Sequence, residues 1–414
     1  MSKTKKLVPK QRFRKFISTK EWQEVKLEDV SEIIGGGTPN TSISAFWNGD
    51  IDWYSPTEIG NKIYISQSEK KITQLGLSKS SAKILPIGTV LYTSRAGIGN
   101  TAILAKEATT NQGFQSIVPK QDRLNSYFLY SRTKELKRYG EAKGGGSTFK
   151  EISGKQLAQM PIFLPALSEQ TQIGEFFKKL DDLIQTQQKK LEKTKTLKSA
   201  YLAEMFPCDC KLKPKLQFKD FINYWDSISL NKIGSTYAGL SGKSKDDFGH
   251  GNAEYITYVN IFNNPITDLD GTETIEIDDK QNQVKYGDVL FTVSSETPHE
   301  VGLSSVWLGD RENVYLNSFC FGFRPYLNVD NYYFAFMLRS PVIRKKFKIL
   351  AQGISRYNIS KNRVMKLVVP ITHINEQTKI GNFFKLLDKK IALEQRKLDK
   401  LNNIKQAYLN EMFV

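Results

Sequence analysis

The chain is 414 residues long, room for two or three domains of ordinary size, with 39% hydrophobic and 25% charged residues and a formal charge of +17. No apolar run approaches the ~20 residues that span a bilayer; Cys208, Cys210 and Cys320 are too few for a disulfide framework, and His250, His299 and His373 lack metal-ligand spacing. Membrane proteins, disulfide scaffolds and His/Cys metalloenzymes are disfavoured, a reducing cytoplasm is expected, and the positive charge points to a polyanion, nucleic acid first.

Eight of the positive charges fall in the first 20 residues, with no acid among them. Short β-branched and aromatic runs then follow (IDWY, KIYI, TVLYTS, TAIL, SIVP), separated by Gly, Asn, Pro and Ser turns, which predicts strands. A helix is expected over roughly 125–139, then a glycine-bearing loop and a last strand. Residues 169–206 read as one helix of ~57 Å at ~1.5 Å per residue. Its apolar positions (Ile173, Phe176, Leu180, Ile184, Leu191, Leu197, Tyr201, Met205) recur at steps of three or four, a narrow stripe of coiled-coil type that also takes in Gln187 and Thr194. PCDCKLKP at 207–214 reads as a linker. A second mixed stretch follows, with strand runs YITYVNI, TIEI, DVLFTV, SVWL and FCFGF and a helix over roughly 330–350.

The chain then repeats itself. Residues 376–413 align with 169–206 without a gap, and 22 of 38 positions are identical. The stripe returns as Ile380, Phe383, Leu387, Ile391, Glu394, Leu398, Leu401, Ile404, Tyr408 and Met412. Fainter echoes lie outside the helices: Pro9, Phe13 and Phe16 against Pro214, Phe218 and Phe221; Trp22 against Trp225; Asn111 against Asn317; Gly146 and Ile152 against Gly353 and Ile359. The expected organisation is a variable domain with a basic tail at 1–163, a spacer helix at 164–210, a second variable domain at 211–370 and a second spacer helix at 371–414. The variable domains are expected to be α/β (α+β), separated by two long antiparallel coiled-coil helices in a pseudo-two-fold repeat. Ile173, Leu180, Ile184 and Leu191 are expected to pair with Ile380, Leu387, Ile391 and Leu398 as the helix seam.

Charge falls at one corresponding place in both halves. Residues 331–370 hold nine Lys/Arg and no acid, and Arg132, Lys134, Lys137, Arg138, Lys143, Lys150 and Lys155 occupy the matching stretch of the first half. Such runs suit phosphate contacts, and base reading then needs loop side chains that reach groove edges. Candidates in the first half are Thr38 in the Gly35–Pro39 turn, Trp47, Ser94, Arg95, Lys143, Ser147, Thr148 and Lys150. In the second half they are Lys243, Ser244, Lys245, Ser294, Ser295, Arg356, Tyr357 and Lys361.

Sites of chemistry fail on inspection. Gly242-Lys243-Ser244 ends like a P-loop, but Tyr237 stands where its first glycine is required. Asp268 with Asp278-Asp279-Lys280, and Asp52 with Glu69-Lys70-Lys71, fit a metal-dependent nuclease only loosely. No methyltransferase signature is present, and the chain is expected to carry no catalytic residue and no metal.

Domain, helix, domain, helix closes on itself only if each helix returns the chain to the other end. This predicts two inverted, unlike DNA half-sites with the helices as a ruler between them. The sequence resembles the specificity subunits of type I restriction-modification enzymes. The resemblance rests on Pro161–Gln170 and Val368–Gln377 opening the long helices, on Gly37-Thr38-Pro39 and the stretch from Phe46 to Trp53, and on Ser94–Gly99 and Thr110–Gly113. The second half lacks the Gly-Thr-Pro and Arg-Ala-Gly-Ile-Gly pieces, so no counterpart of Arg95 is expected there. The resemblance implies a non-catalytic DNA-recognition subunit that binds double-stranded DNA and two copies of a methyltransferase. That partner would use S-adenosylmethionine on adenine N6; motor-nuclease subunits, where present, would use ATP and Mg. No cofactor would be bound by this chain itself. The alternative is a stand-alone DNA-binding regulator or decoy.

Overall fold

A computed structural model describes residues 7–60, 62–95, 97–145, 150–208 and 211–414. The chain divides into two compact units, one of residues 1–188 with 397–414, the other of residues 189–396. Each unit thus owns the start of one long helix and the end of the other.

The first unit is built on a five-stranded sheet in the order Ser31–Gly35, Gln115–Pro119, Val90–Tyr92, Thr101–Leu104, Tyr64–Ile65, antiparallel except for the last pair. A second sheet places Trp47–Tyr54 between Lys70–Ile72 and Thr109–Thr110. The second unit has four antiparallel strands in the order Gly234–Ala238, Cys320–Pro325, Val289–Thr292, Ser304–Val306. Phe248–Ile256 likewise lies between Thr272–Ile275 and Val314–Leu316. The register slips at one corresponding place in both units, between Trp47 and Ile51 and between Phe248 and Ala253. A bulge there turns the strand.

Each unit closes with a short antiparallel ribbon, Gln23–Lys26 on Pro161–Leu164 or Asp226–Ser229 on Val368–Ile371. Beyond it a helix of 38 residues begins, Leu167–Glu204 or Ile374–Glu411. The Glu-Gln pairs that open these helices are buried, and each has a defined task. Glu169 takes a two-toothed ion pair from Arg12 (2.7 Å to each oxygen), whereas Glu376 accepts from the neutral Gln217 (2.9 Å). The Gln170 carbonyl accepts from the Asn125 amide (3.1 Å) and Gln377 from the Asp330 amide (3.0 Å). Asn125 and Asp330 cap the helices Ser126–Ser131 and Asn331–Leu338. Glycine is needed on the long helices at these crossings: a Cβ on Gly174 would stand 2.7 Å from Asn125 Oδ1, and one on Gly381 would stand 2.4 Å from Asp330 Oδ1.

The helix ends complete the cores. In the first unit Phe413 stacks on Phe177 (5.8 Å between ring centroids) and meets Trp22 edge-on at 6.2 Å. In the second, Phe206 stacks on Phe384 (6.0 Å) and meets Trp225 edge-on at 6.2 Å. Phe176 against Tyr408 (4.9 Å) is matched by Phe383 against Tyr201 (5.0 Å). Within each unit the helix segments run antiparallel: Asp181 pairs with Lys405 in one, Lys190 with Glu394 and Lys198 with Asp388 in the other.

The structure departs from the sequence reading in three places. The helices expected over 125–139 and 330–350 are each two, Ser126–Ser131 with Thr133–Lys143, and Asn331–Leu338 with Pro341–Leu350. At the first break Arg132 turns inward to the Phe163 carbonyl (2.7 Å); at the second, Pro341 can only begin a helix. The run YITYVNI is a strand only as far as Ile256. The Thr257 hydroxyl accepts from the Asn260 amide and opens a helix, Tyr258–Asn263. Leu197 lies off the helix stripe, 43% exposed.

Candidate nucleic-acid interface

The candidate side chains separate by what already holds them. In the first unit the Thr38 hydroxyl bonds Gln112. Trp47 sits edge-on against Trp53 at 5.1 Å, with its indole on the Asn40 carbonyl (3.1 Å), so much of its surface serves packing. Ser94 is buried; its amide donates to the Gly113 carbonyl (2.8 Å) and its carbonyl accepts from Ile152 (3.1 Å). Arg95 is half-buried over Gly113, where a Cβ would meet Pro56 Cγ at 2.8 Å and Arg95 Nε at 3.5 Å. Lys143 and Lys150 are exposed. Ser147 and Thr148 lie outside the described residues.

In the second unit, Lys243 is bound to Asp278 (2.9 Å) and Asp247 (3.9 Å), and Ser244 to Asp247 through both amide and hydroxyl. The Lys243 ammonium, with help from Gln281 and the Lys280 amide, draws the Asp278 carboxyl down to about 2. Lys245 and Lys361 are exposed, and Tyr357 pairs with Ser295 along a short ladder. Ser294 and Ser295 are buried at the floor of a cleft of about 750 Å³, into which Arg356 also faces. Tyr258 and Phe262, stacked at 6.0 Å, line it with Val259, and Phe319 lines it as well. Val259 is 62% and Phe319 58% exposed.

The walls of this cleft are fastened from behind. Arg339 donates to the carbonyls of Ile261, Phe262 and Asn264 (2.6, 3.0 and 2.9 Å) and of Ser304 (2.7 Å). Arg344 donates to those of His299, Val301 and Gly302 (2.9, 2.6 and 2.8 Å). Burial pushes both guanidinium groups down to about 10, helped at Arg339 by repulsion from Arg344, so both remain charged near neutrality. The nine-cation run of 331–370 is thus divided in use. Arg339 and Arg344 hold main chain, Lys346 binds the Val368 carbonyl (2.9 Å), and Arg356 and Lys361 face outward. Arg132 shows the same inward use in the first unit.

Backbone register relates the two sites. The Ser94 amide bonds Gly113 as the Val293 amide bonds Phe319 (3.0 Å), and Ile152 bonds Ser94 as Ile359 bonds Val293 (2.9 Å). Ser294 therefore occupies the position of Arg95, and Phe319 that of Gly113. The first unit brings its arginine on the loop after a central strand, the second on the hairpin closed by Gln352 and Asn358. Sequence reasoning did not single out Tyr258, Val259, Phe319, Glu296 or Glu300 as site residues. The one signal for Phe319 was its place two residues after Asn317, the echo of Asn111.

The expected seam residues Ile173, Leu180, Ile184, Leu191, Ile380 and Leu398 are buried, and Leu387 and Ile391 half-buried. The loosely placed carboxylates are occupied. Asp52 holds the Ser68 amide and hydroxyl with Lys106 and Lys71, and the Asp268 carboxylate holds the Asp270 amide. Among the described residues no group of three His, Cys, Asp or Glu is placed to hold a metal ion.

Two similar scaffolds carrying unlike loops at one place match a known sequence pattern. The family described as the type I restriction modification DNA specificity domain matches twice, over residues 19–195 and 223–403. The chain belongs to this family. Each match takes in one unit's sheets and the start of a long helix. A type I restriction enzyme specificity subunit of Methanocaldococcus jannaschii, MjaIX, is 41% identical over 176 residues, 42% of this chain. At that identity the chain spans about two fifths (41%) of the relative's length. A second protein of that organism, named as a putative specificity subunit, is 23% identical over 94% of this chain and 92% of its own length. The crystal structure of a type I S subunit from M. genitalium shares the fold with a TM-score of 0.59 and 16% identity, over 98% of this chain and 99% of that one. Among the described residues of this family member, no helix is long and apolar enough to cross a membrane.

Proposed function

We propose that this chain is the DNA-specificity subunit of a type I restriction-modification system, acting in the cytoplasm without catalytic residues of its own. Each unit reads one half of an asymmetric, bipartite target in double-stranded DNA. The observation that carries this reading is the contrast inside the repeat. Ring for ring, the anchorage of the helix ends is the same in both units, while Arg95 and Gly113 give way to Ser294 and Phe319 where a ligand would lie. Shared anchorage suits two copies of one partner, and unlike loops suit two DNA words.

On this reading the paired helices set the number of unread base pairs and dock two methyltransferase subunits. S-adenosylmethionine belongs to those subunits, and adenine N6 must leave the base stack to be modified by them. Motor-nuclease subunits, where the system has them, bring ATP and Mg. This chain's part is to hold the assembly in register: exposed Lys143, Lys150, Lys245 and Lys361 on phosphates, Arg95 and Arg356 at base edges.

The test is a genome-wide map of N6-methyladenine with and without the gene. Loss of one bipartite motif, methylated on both strands, is the expected result. An unchanged map in cells that express the methyltransferase would overturn the reading in favour of a stand-alone DNA-binding protein.

A further inference from the structure

The cleft of the second unit holds charges that phosphate binding does not explain. Glu296 and Glu300 line it together with Arg356. A carboxylate repels phosphate, so a surface made only to hold the DNA backbone would exclude it. Glu300 is tied to the Thr297 hydroxyl (2.7 Å), but Glu296 is exposed and has no hydrogen bond or ion pair among the described residues. The Arg356 guanidinium is in the same state. Both signs line one cleft, and no ion pair among the described residues joins them. A free acceptor and a free forked donor therefore face one space whose walls Arg339 and Arg344 fasten from behind.

From these features, and resting on the DNA-specificity reading above, we propose that the cleft reads one C·G base pair from the major groove. Glu296 accepts from the cytosine N4 amine, and Arg356 donates its fork to guanine O6 and N7. The complementarity is chemical: a C·G pair offers one amine donor beside two acceptors, which match one carboxylate and one guanidinium. A thymine in place of the cytosine turns a carbonyl oxygen toward the carboxylate and is repelled. Exposed Phe319 and Val259 supply the apolar surface that lies against the pyrimidine edge. The first unit has no carboxylate at the corresponding loop, where Arg95 stands instead, so its half-site is read by different chemistry.

The test uses the full chain, expressed with its methyltransferase in cells lacking the gene, with the methylated motif mapped by sequencing. Wild type is expected to give a bipartite motif with at least one fixed C·G pair in the half read by the second unit. Glu296→Gln keeps the shape but adds a donor. It should make that one position degenerate, raising methylation of sites with another base there by about tenfold or more, while every other position stays fixed. Arg356→Lys, which loses the fork, should relax the same position. Maps identical to wild type for both variants would overturn the proposal, as would a uniform loss of methylation without any change of motif, or a motif with no fixed C·G pair. If wild type itself directs no bipartite motif, the specificity reading fails first, and the inference falls with it.

Discussion

Arginine in this protein is in good part a structural residue. Arg339 and Arg344 spend their donors on main-chain carbonyls, and Arg132 divides its own between the Phe163 carbonyl and the Glu135 carboxylate. Such side chains look the same in composition as Arg356, which faces outward, so a sequence count of positive charge overstates what is left for phosphate. Asp52 illustrates the same economy with the opposite sign. Burial raises its pKa, but the Ser68 amide and hydroxyl and the ammonium groups of Lys106 and Lys71 outweigh that and hold it below the usual carboxylate range. A depressed folded pKa contributes stability that is complete above the unfolded value, ~3.9, and is lost as pH falls through the folded one. Asp52→Asn should therefore lower stability at neutral pH and flatten the acid limb of the first unit's unfolding curve. Thermal melts between pH 2 and 7 would show it; an unchanged acid limb would remove Asp52 from the account.

At the scale of elements, the long helices were legible because they are written twice with one stripe. The helix Tyr258–Asn263 was not. Its aromatic and β-branched residues favour a strand, and only the cap at Thr257 redirects the chain. Arg356 was legible as a candidate because it is a polar residue in a glycine-bearing loop, but the cleft it faces joins 258–263, 294–300, 319 and 355–356. No pattern along the chain brings those segments together. The clamps at the helix starts are legible only in part, since the Glu-Gln pairs repeat but their partners differ. Removing Arg12 leaves the buried Glu169 carboxylate unpaired, at a cost of roughly 3–5 kcal/mol. Gln217→Ala withdraws one neutral donor from Glu376, whose other oxygen still accepts from Thr372, at a cost of about 1–3 kcal/mol. Denaturant unfolding of Arg12→Ala and Gln217→Ala should rank them in that order. Equal losses would mean that the ion pair adds nothing beyond a neutral hydrogen bond.

For the whole molecule, the repeat predicts independent reading by the two units. Replacing residues 20–160 with the corresponding segment of another family member should change one half of the methylated motif and leave the other half and the gap untouched. A change in both halves would refute modular reading. The helices are expected to act as one device. Leu191→Asp with Leu398→Asp places charge at two buried stripe positions and should abolish assembly with the methyltransferase. Normal assembly with an unchanged gap between half-sites would count against the helices as a ruler.

The ownership of helix ends also has a consequence in time. The first unit's core needs Met412 and Phe413, which leave the ribosome more than two hundred residues after Gln188. At ~5–20 residues per second that interval is about 10–40 s. Throughout it Trp22, Phe128 and Phe177 wait for their cap, whereas Met205 and Phe206 are made before the rest of the core they complete. The half of the chain translated first is finished last. A chain cut short between Lys397 and Met412 would leave that half with an open apolar core, marking the product for proteolysis.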